Sequence, residues 1–214
     1  MKHVCLLAAL TLGLWIPSIA HAHFVWLVQK SEAGGHSVHV HFSEDAEADN
    51  PELLKKLDRL LTQQISLMGD ATELKPTLAS ESMTAKIDPG KGPILISRID
   101  YGVVDRNESH KYFLVYNAKC GPAIDHPAWK KIDTSKLLGV DLIPALASSG
   151  KVEVTVLWKG KPVNKAEVTA VIPGIGEVKG ETDENGKAAF EKGQTGMYAI
   201  RARVVQDERG EFNG

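Results

Sequence analysis

The sequence predicts a mainly β protein built of two β-sandwich-like units, with one helix inserted in the first. Three observations lead there. Short apolar or alternating segments are cut every few residues by Gly, Pro and Asp, which is the punctuation of strands and turns. Beyond the first 22 residues, 51–61 is the one convincing stretch with leucines at helical spacing. Beyond Pro144-Ala-Leu-Ala-Ser-Ser-Gly150, which reads as a linker, the rhythm shifts to shorter strands with tighter turns. The expected organisation is a leader over 1–22, a β-rich unit over 23–147 and a smaller sandwich over 150–214.

The leader has a short basic start in Lys2 and His3, an apolar run from Val4 to Ile16, and then Pro17-Ser18. Ala20 and Ala22 supply the small residues that a signal peptidase inspects. Cleavage after Ala22 would begin the mature chain at His23, with a free α-amine and an imidazole on one residue. Cleavage after Ala20 would leave His21-Ala22-His23, an imidazole three positions from the amine. Both are chelates suited to nickel, cobalt or copper. The plain alternative is that histidine merely flanks the cut. Either way the chain is expected in the periplasm or secreted.

Composition narrows the classes. After Ala22 the chain keeps 192 residues with 24 basic against 27 acidic, too balanced to point to nucleic acid or an anionic membrane. No apolar run after the leader approaches the roughly 20 residues needed to span a bilayer. Cys5 leaves with the leader, so Cys120 stands alone. The mature fold must then rest on core burial rather than an intramolecular disulfide.

Phe24 to Gln29 read as a strand apolar on both faces, and Ser31 to Gly35 as a turn. In the next strand Val38, Val40 and Phe42 alternate with His39 and His41. A hairpin closed by about five residues would set His23 opposite His41 and Val25 opposite His39, gathering His23, His39 and His41 as metal ligands. The competing reading makes the two strand histidines simply the wet face of a half-exposed strand. An acidic stretch, Glu44, Asp45, Glu47 and Asp49, lacks calcium-loop spacing and reads as a solvated approach to the helix. Asn50 caps that helix, Pro51 starts it, and Leu53, Leu54, Leu57, Leu60 and Leu61 form its apolar stripe.

Further strands are expected over 65–68, 72–78, 83–87, 94–99, 101–104 and 111–116. Residues 117–133 read as irregular, with Cys120, Asp125 and His126 a weak candidate set of soft ligands. Residues 138–143 close the first unit. The second offers strands at 152–158, 166–172, 177–182, 187–190 and 196–204.

Trp158-Lys-Gly-Lys-Pro-Val163, Ala166-Glu-Val-Thr169, Thr182-Asp-Glu-Asn-Gly186 and Gly196-Met-Tyr-Ala-Ile200 resemble carboxypeptidase-regulatory-like, transthyretin-type sandwich repeats. Such repeats are spacers and recognition modules, so the resemblance implies no catalytic residues. With the Ala22-His-Phe-Val-Trp-Leu27 start, His41-Phe-Ser-Glu44 and Tyr101-Gly-Val103, the mature chain resembles a periplasmic domain-of-unknown-function family described as nickel or cobalt uptake substrate-binding regions. Two departures stand out. The best-understood relatives carry membrane helices, and their metal-binding histidine is second after the amine. Members also run on past Arg209-Gly-Glu-Phe-Asn-Gly214 into another strand, so the resemblance implies a last sandwich one strand short.

The expected function is an exported binding protein for a late first-row metal ion, with a membrane transport component as a partner the resemblance implies. The alternatives are a non-catalytic envelope or adhesion module, and a copper oxygenase with an N-terminal histidine brace. No Ser-His-Asp or paired-carboxylate arrangement can be assembled, and no enzyme is expected.

Overall fold

The computed structural model describes residues 23–105 and 111–212. The leader with both cleavage positions and His21, and also His110, lie outside the described residues. The described chain is mainly β, as its punctuation predicts.

Phe24–Glu32 (β1) and Gly35–Ser43 (β2) form a long antiparallel hairpin. The turn is only Ala33-Gly34, with Glu32 paired to Gly35. Residues 51–57 then make a helical turn, followed by Leu61–Ile65 (β3), Ala71–Leu74 (β4), Thr77–Leu78 (β5) and Met83–Ile87 (β6). Ile94–Asp105 (β7) and Lys111–Cys120 (β8) are the longest pair. A short helix, Ala128–Lys131 (α1), precedes Val140–Leu146 (β9). The remaining strands are Val152–Trp158 (β10), Lys161–Pro162 (β11), Glu167–Ile172 (β12), Gly176–Glu181 (β13), Lys187–Phe190 (β14) and Ala199–Arg203 (β15).

Two sheets face each other in the first unit, ordered β1-β2-β6-β5 and β4-β3-β7-β8. Between them lie Val25, Leu27, Val38, Val40, Phe42, Leu95 and Ile99, with Leu54 and Leu57 from the helical turn. Strand β7 alternates, as a period of two requires. Leu95 and Ile99 enter this core, while Ile94 and Ile96 face a second cluster with Trp129, Ile132 and Leu138. Segment 121–138 thus covers the back of that sheet.

The helix is a 3-10 turn over Pro51–Leu57, shorter than the 51–61 the leucines suggest. Its cap is as expected, with Asn50 Oδ1 accepting from the Glu52 N–H at 3.0 Å. Three residues per turn changes which leucines align. Leu54 and Leu57 are buried and Leu60 is partly so, whereas Leu61 is exposed at the start of β3. Similarly, the strands expected at 94–99 and 101–104 are one strand. It carries a register irregularity between Asp100 and Gly102, where Gly102 has φ 122°, as a bulge requires.

Pro144 to Leu146, read from sequence as linker, belong to β9, which pairs with β10 along its whole length. The hairpin places β9 in the sheet of the second unit, beside β10 and with β14 and β11 on β10's other side. The facing sheet is β13-β12-β15. Val152, Val154, Val156, Val168, Ala170, Ile172 and Phe190 fill the space between. The β10–β11 turn is Lys159-Gly160, both at positive φ (49° and 77°), the backbone of a two-residue hairpin that follows strand twist.

A buried ion pair joins β8 to β9. Lys119 Nζ donates to Asp141 Oδ1 at 2.6 Å and to Thr134 Oγ1 at 2.8 Å, and Thr134 donates to Asp141 Oδ2 at 2.6 Å. The two charged side chains are 7% and 3% exposed. Desolvation lowers the Lys119 pKa, and the Asp141 carboxylate opposes that shift. Asp141→Ala leaves the ammonium buried without a counter-charge, and should cost about 3–5 kcal/mol. Lys119→Met with Asp141→Leu should recover most of that loss in denaturant unfolding, since no charge then stays buried.

Candidate functional site

His23 sits where the first strand meets the loop before the helical turn. His23 Nε2 lies 3.2 Å from Asp49 Oδ2, and its ring packs against Phe42 with centroids 5.6 Å apart. Asp49 is itself fixed, because its Oδ1 accepts the Asn50 N–H at 2.7 Å. The acidic stretch is therefore more than a solvated approach to the helix. It supplies the carboxylate that orients His23, and nothing in its spacing signals that.

The expected partnership of His23 with His41 is absent. The observed register pairs Trp26 with His41 and Val28 with His39, so the assumed pairing is displaced by three residues. An odd displacement exchanges the two faces of a strand. His23 contacts Phe42 on the core-facing side, whereas His39 and His41 alternate to the other. The physical cause is the turn. A two-residue connection at Ala33-Gly34 carries the ladder to Glu32 and Gly35, where a longer loop was expected.

His39 and His41 form a site of their own. Their rings stack at 6.3 Å with planes 20° apart. Both His39 nitrogens are engaged, Nε2 with Ser37 Oγ at 3.1 Å and Nδ1 with Ser82 Oγ at 3.0 Å. His41 is 6% exposed, and its Nδ1 is buried without a hydrogen-bond partner. It is thus no wet-face residue. Burial first, then His39 and Lys30, push the His41 pKa down, against a hydrogen bond with the Glu81 backbone and the Glu81 charge. The His39 pKa is also lowered, by burial and Lys30, against Glu32.

The loop candidates do not assemble. Cys120 ends β8, and desolvation pushes its thiol up to about 12. His126 Nδ1 accepts the Ala128 N–H at 3.1 Å, stiffening the start of α1. Among the described residues no three His, Cys, Asp or Glu side chains gather to hold a metal ion.

A cavity of about 660 Å³ between the two units has no counterpart in the sequence. It is lined from β1, β8, β9 and β15, each the last strand on that side of its sheet. Trp26, Tyr116, Cys120, Leu142 and Ile200 contribute apolar wall, and Arg201 lies on its border. Such a junction forms from edges far apart in sequence, which leave no local pattern.

The histidine stack gives a signed pH dependence. His41 titrates below its ordinary 6.5 in the folded chain, so the unfolded state binds the proton first. The His41 contribution to stability is present above the ordinary value and is lost as pH falls through the folded one. Thermal unfolding should therefore lose stability as pH falls below about 6.5, and His41→Phe should flatten that slope. An undiminished slope in the variant would assign the acid sensitivity elsewhere. No protein-family model matches this chain, and neither a curated protein nor a solved structure shows detectable similarity to it.

Proposed function

We propose that this chain is an exported, periplasmic or secreted protein that binds a late first-row transition-metal ion (nickel, cobalt or copper) through His23. The observation that carries the reading is the His23–Asp49 pairing at 3.2 Å. Histidines that bind metal through one ring nitrogen commonly hold the other on a carboxylate, which fixes the ring and raises its basicity. Here Nε2 is the nitrogen on the carboxylate, which leaves Nδ1 for a metal. If the leader is cut after Ala22, Nδ1 and the α-amine of the same residue close a six-membered chelate. Water or a donor from a transport partner would complete the coordination.

The role is binding and delivery rather than catalysis. A copper oxygenase brace needs a second imidazole beside the terminal one, and His39 and His41 lie across the hairpin from His23. The engaged nitrogens of His39 favour a structural part for that pair. The resemblance to uptake-type periplasmic proteins supports the same class of ligand.

Calorimetry with copper and nickel on the chain beginning at His23 tests the reading. One extra alanine before His23 should weaken binding sharply, because it converts the amine into an amide. Asp49→Asn should cost about 10- to 100-fold, and His41→Ala should leave affinity unchanged. Affinity should decline as pH falls, because the metal needs both a deprotonated amine and a neutral imidazole. Unaltered affinity with the extra alanine would remove the chelate.

A further inference from the structure

We infer that Arg201, on the last strand of the second unit, is a positioning residue for the His23 site. The inference rests on the metal-binding reading above. Arg201 reaches across 157 positions of sequence to donate from Nη1 to the Glu44 carbonyl at 2.8 Å. Its guanidinium carbon also lies 4.9 Å from the centroid of the Phe24 ring. A third contact, Nη2 to Glu177 Oε2 at 3.7 Å, holds it from its own side.

These contacts bracket His23. Phe24 is the next residue in the chain, so stacking its ring fixes the direction in which the His23 backbone leaves β1. Glu44 opens the loop that ends at Asp49, and Asp49 is the carboxylate on His23 Nε2. That loop has its own brace, Ser43 Oγ donating to the Asp45 carbonyl at 2.6 Å. The Arg201 bond ties it to the second unit. One planar cation thus restrains both the amine-bearing residue and its orienting carboxylate. Lysine cannot reproduce the arrangement, because a point charge has no flat face for the Phe24 ring.

The position also explains why a second unit matters to a terminal site. The cavity of about 660 Å³ separates β1 from β15 over much of their length. Contact at the Phe24 end couples the sandwich to the start of β1. Arg203, two residues on along the same face, serves as the internal comparison. Its side chain is 71% exposed and faces Glu167 of the paired strand β12 at 3.8 Å.

The test uses the chain beginning at His23 and its Arg201→Gln, Arg201→Lys and Arg203→Gln variants. Copper affinity is read by calorimetry, and amide exchange at Phe24–Trp26 and residues 44–46 is read without metal. Arg201→Gln should weaken copper about tenfold, as loss of an outer-shell support does, and should speed exchange at both segments. Arg201→Lys should fall between it and the parent, and Arg203→Gln should match the parent. Parent-like affinity and exchange in Arg201→Gln would overturn the inference. If that variant does not fold, parent-like values in Arg201→Lys would do the same. Absence of copper binding by the parent chain would overturn the metal reading instead. Exchange at Phe24 and Glu44 would then still decide whether Arg201 holds the terminus.

Discussion

The pairing of β1 with β2 is the constraint from which the N-terminal region follows. Because side chains alternate along a strand, the parity of the register decides which residues meet the core and which meet the opposite face. The Ala33-Gly34 turn sets that parity. It sends Val25, Leu27, Val38, Val40 and Phe42 into one core, and it puts Trp26, His39 and His41 together on the other side. One more or one fewer residue in the turn would bury histidines among leucines. The hydrophobic pattern and the turn therefore specify each other, and the separation of His23 from the other two imidazoles is a consequence of both.

The two units are joined by more than a connecting peptide. Strand β9 leaves the segment that covers the first unit and enters the sheet of the second. The Lys119–Asp141–Thr134 cluster is buried where β8 meets it. Apolar contacts alone could slide there, because leucine and valine tolerate many packings. A buried ion pair with its remaining acceptor satisfied by a hydroxyl tolerates few. At the same junction Arg201 brings the last strand to the first. The start of β1 is thereby held by residues far apart in the chain.

Polar groups at His23 and at the histidine stack meet different fates for physical reasons. The His23 ring keeps a carboxylate partner at a partly open edge. His41 is enclosed and keeps an unsatisfied nitrogen, a cost that folding accepts only with the ring neutral. The first arrangement suits a ligand site, and the second makes the hairpin sensitive to acid.

The fold class, the Asn50 cap and most strands were legible in the chain by itself, because strand alternation, turn residues and caps are local. The burial of Val38, Val40 and Phe42 on one side was legible for the same reason. The shortened helix was half legible: the leucines are there, but only packing chose a three-residue turn that buries Leu54 and Leu57 and frees Leu61. His23 could be singled out from its place just after an apolar, alanine-punctuated stretch, yet its partner could not. Tertiary structure alone decided that Asp49 rather than His41 stands beside it, that Pro144 to Leu146 form strand rather than linker, and that Arg201 meets Phe24 and Glu44. Each of those outcomes depends on a register or on contact between distant edges, and neither leaves a periodic trace in sequence.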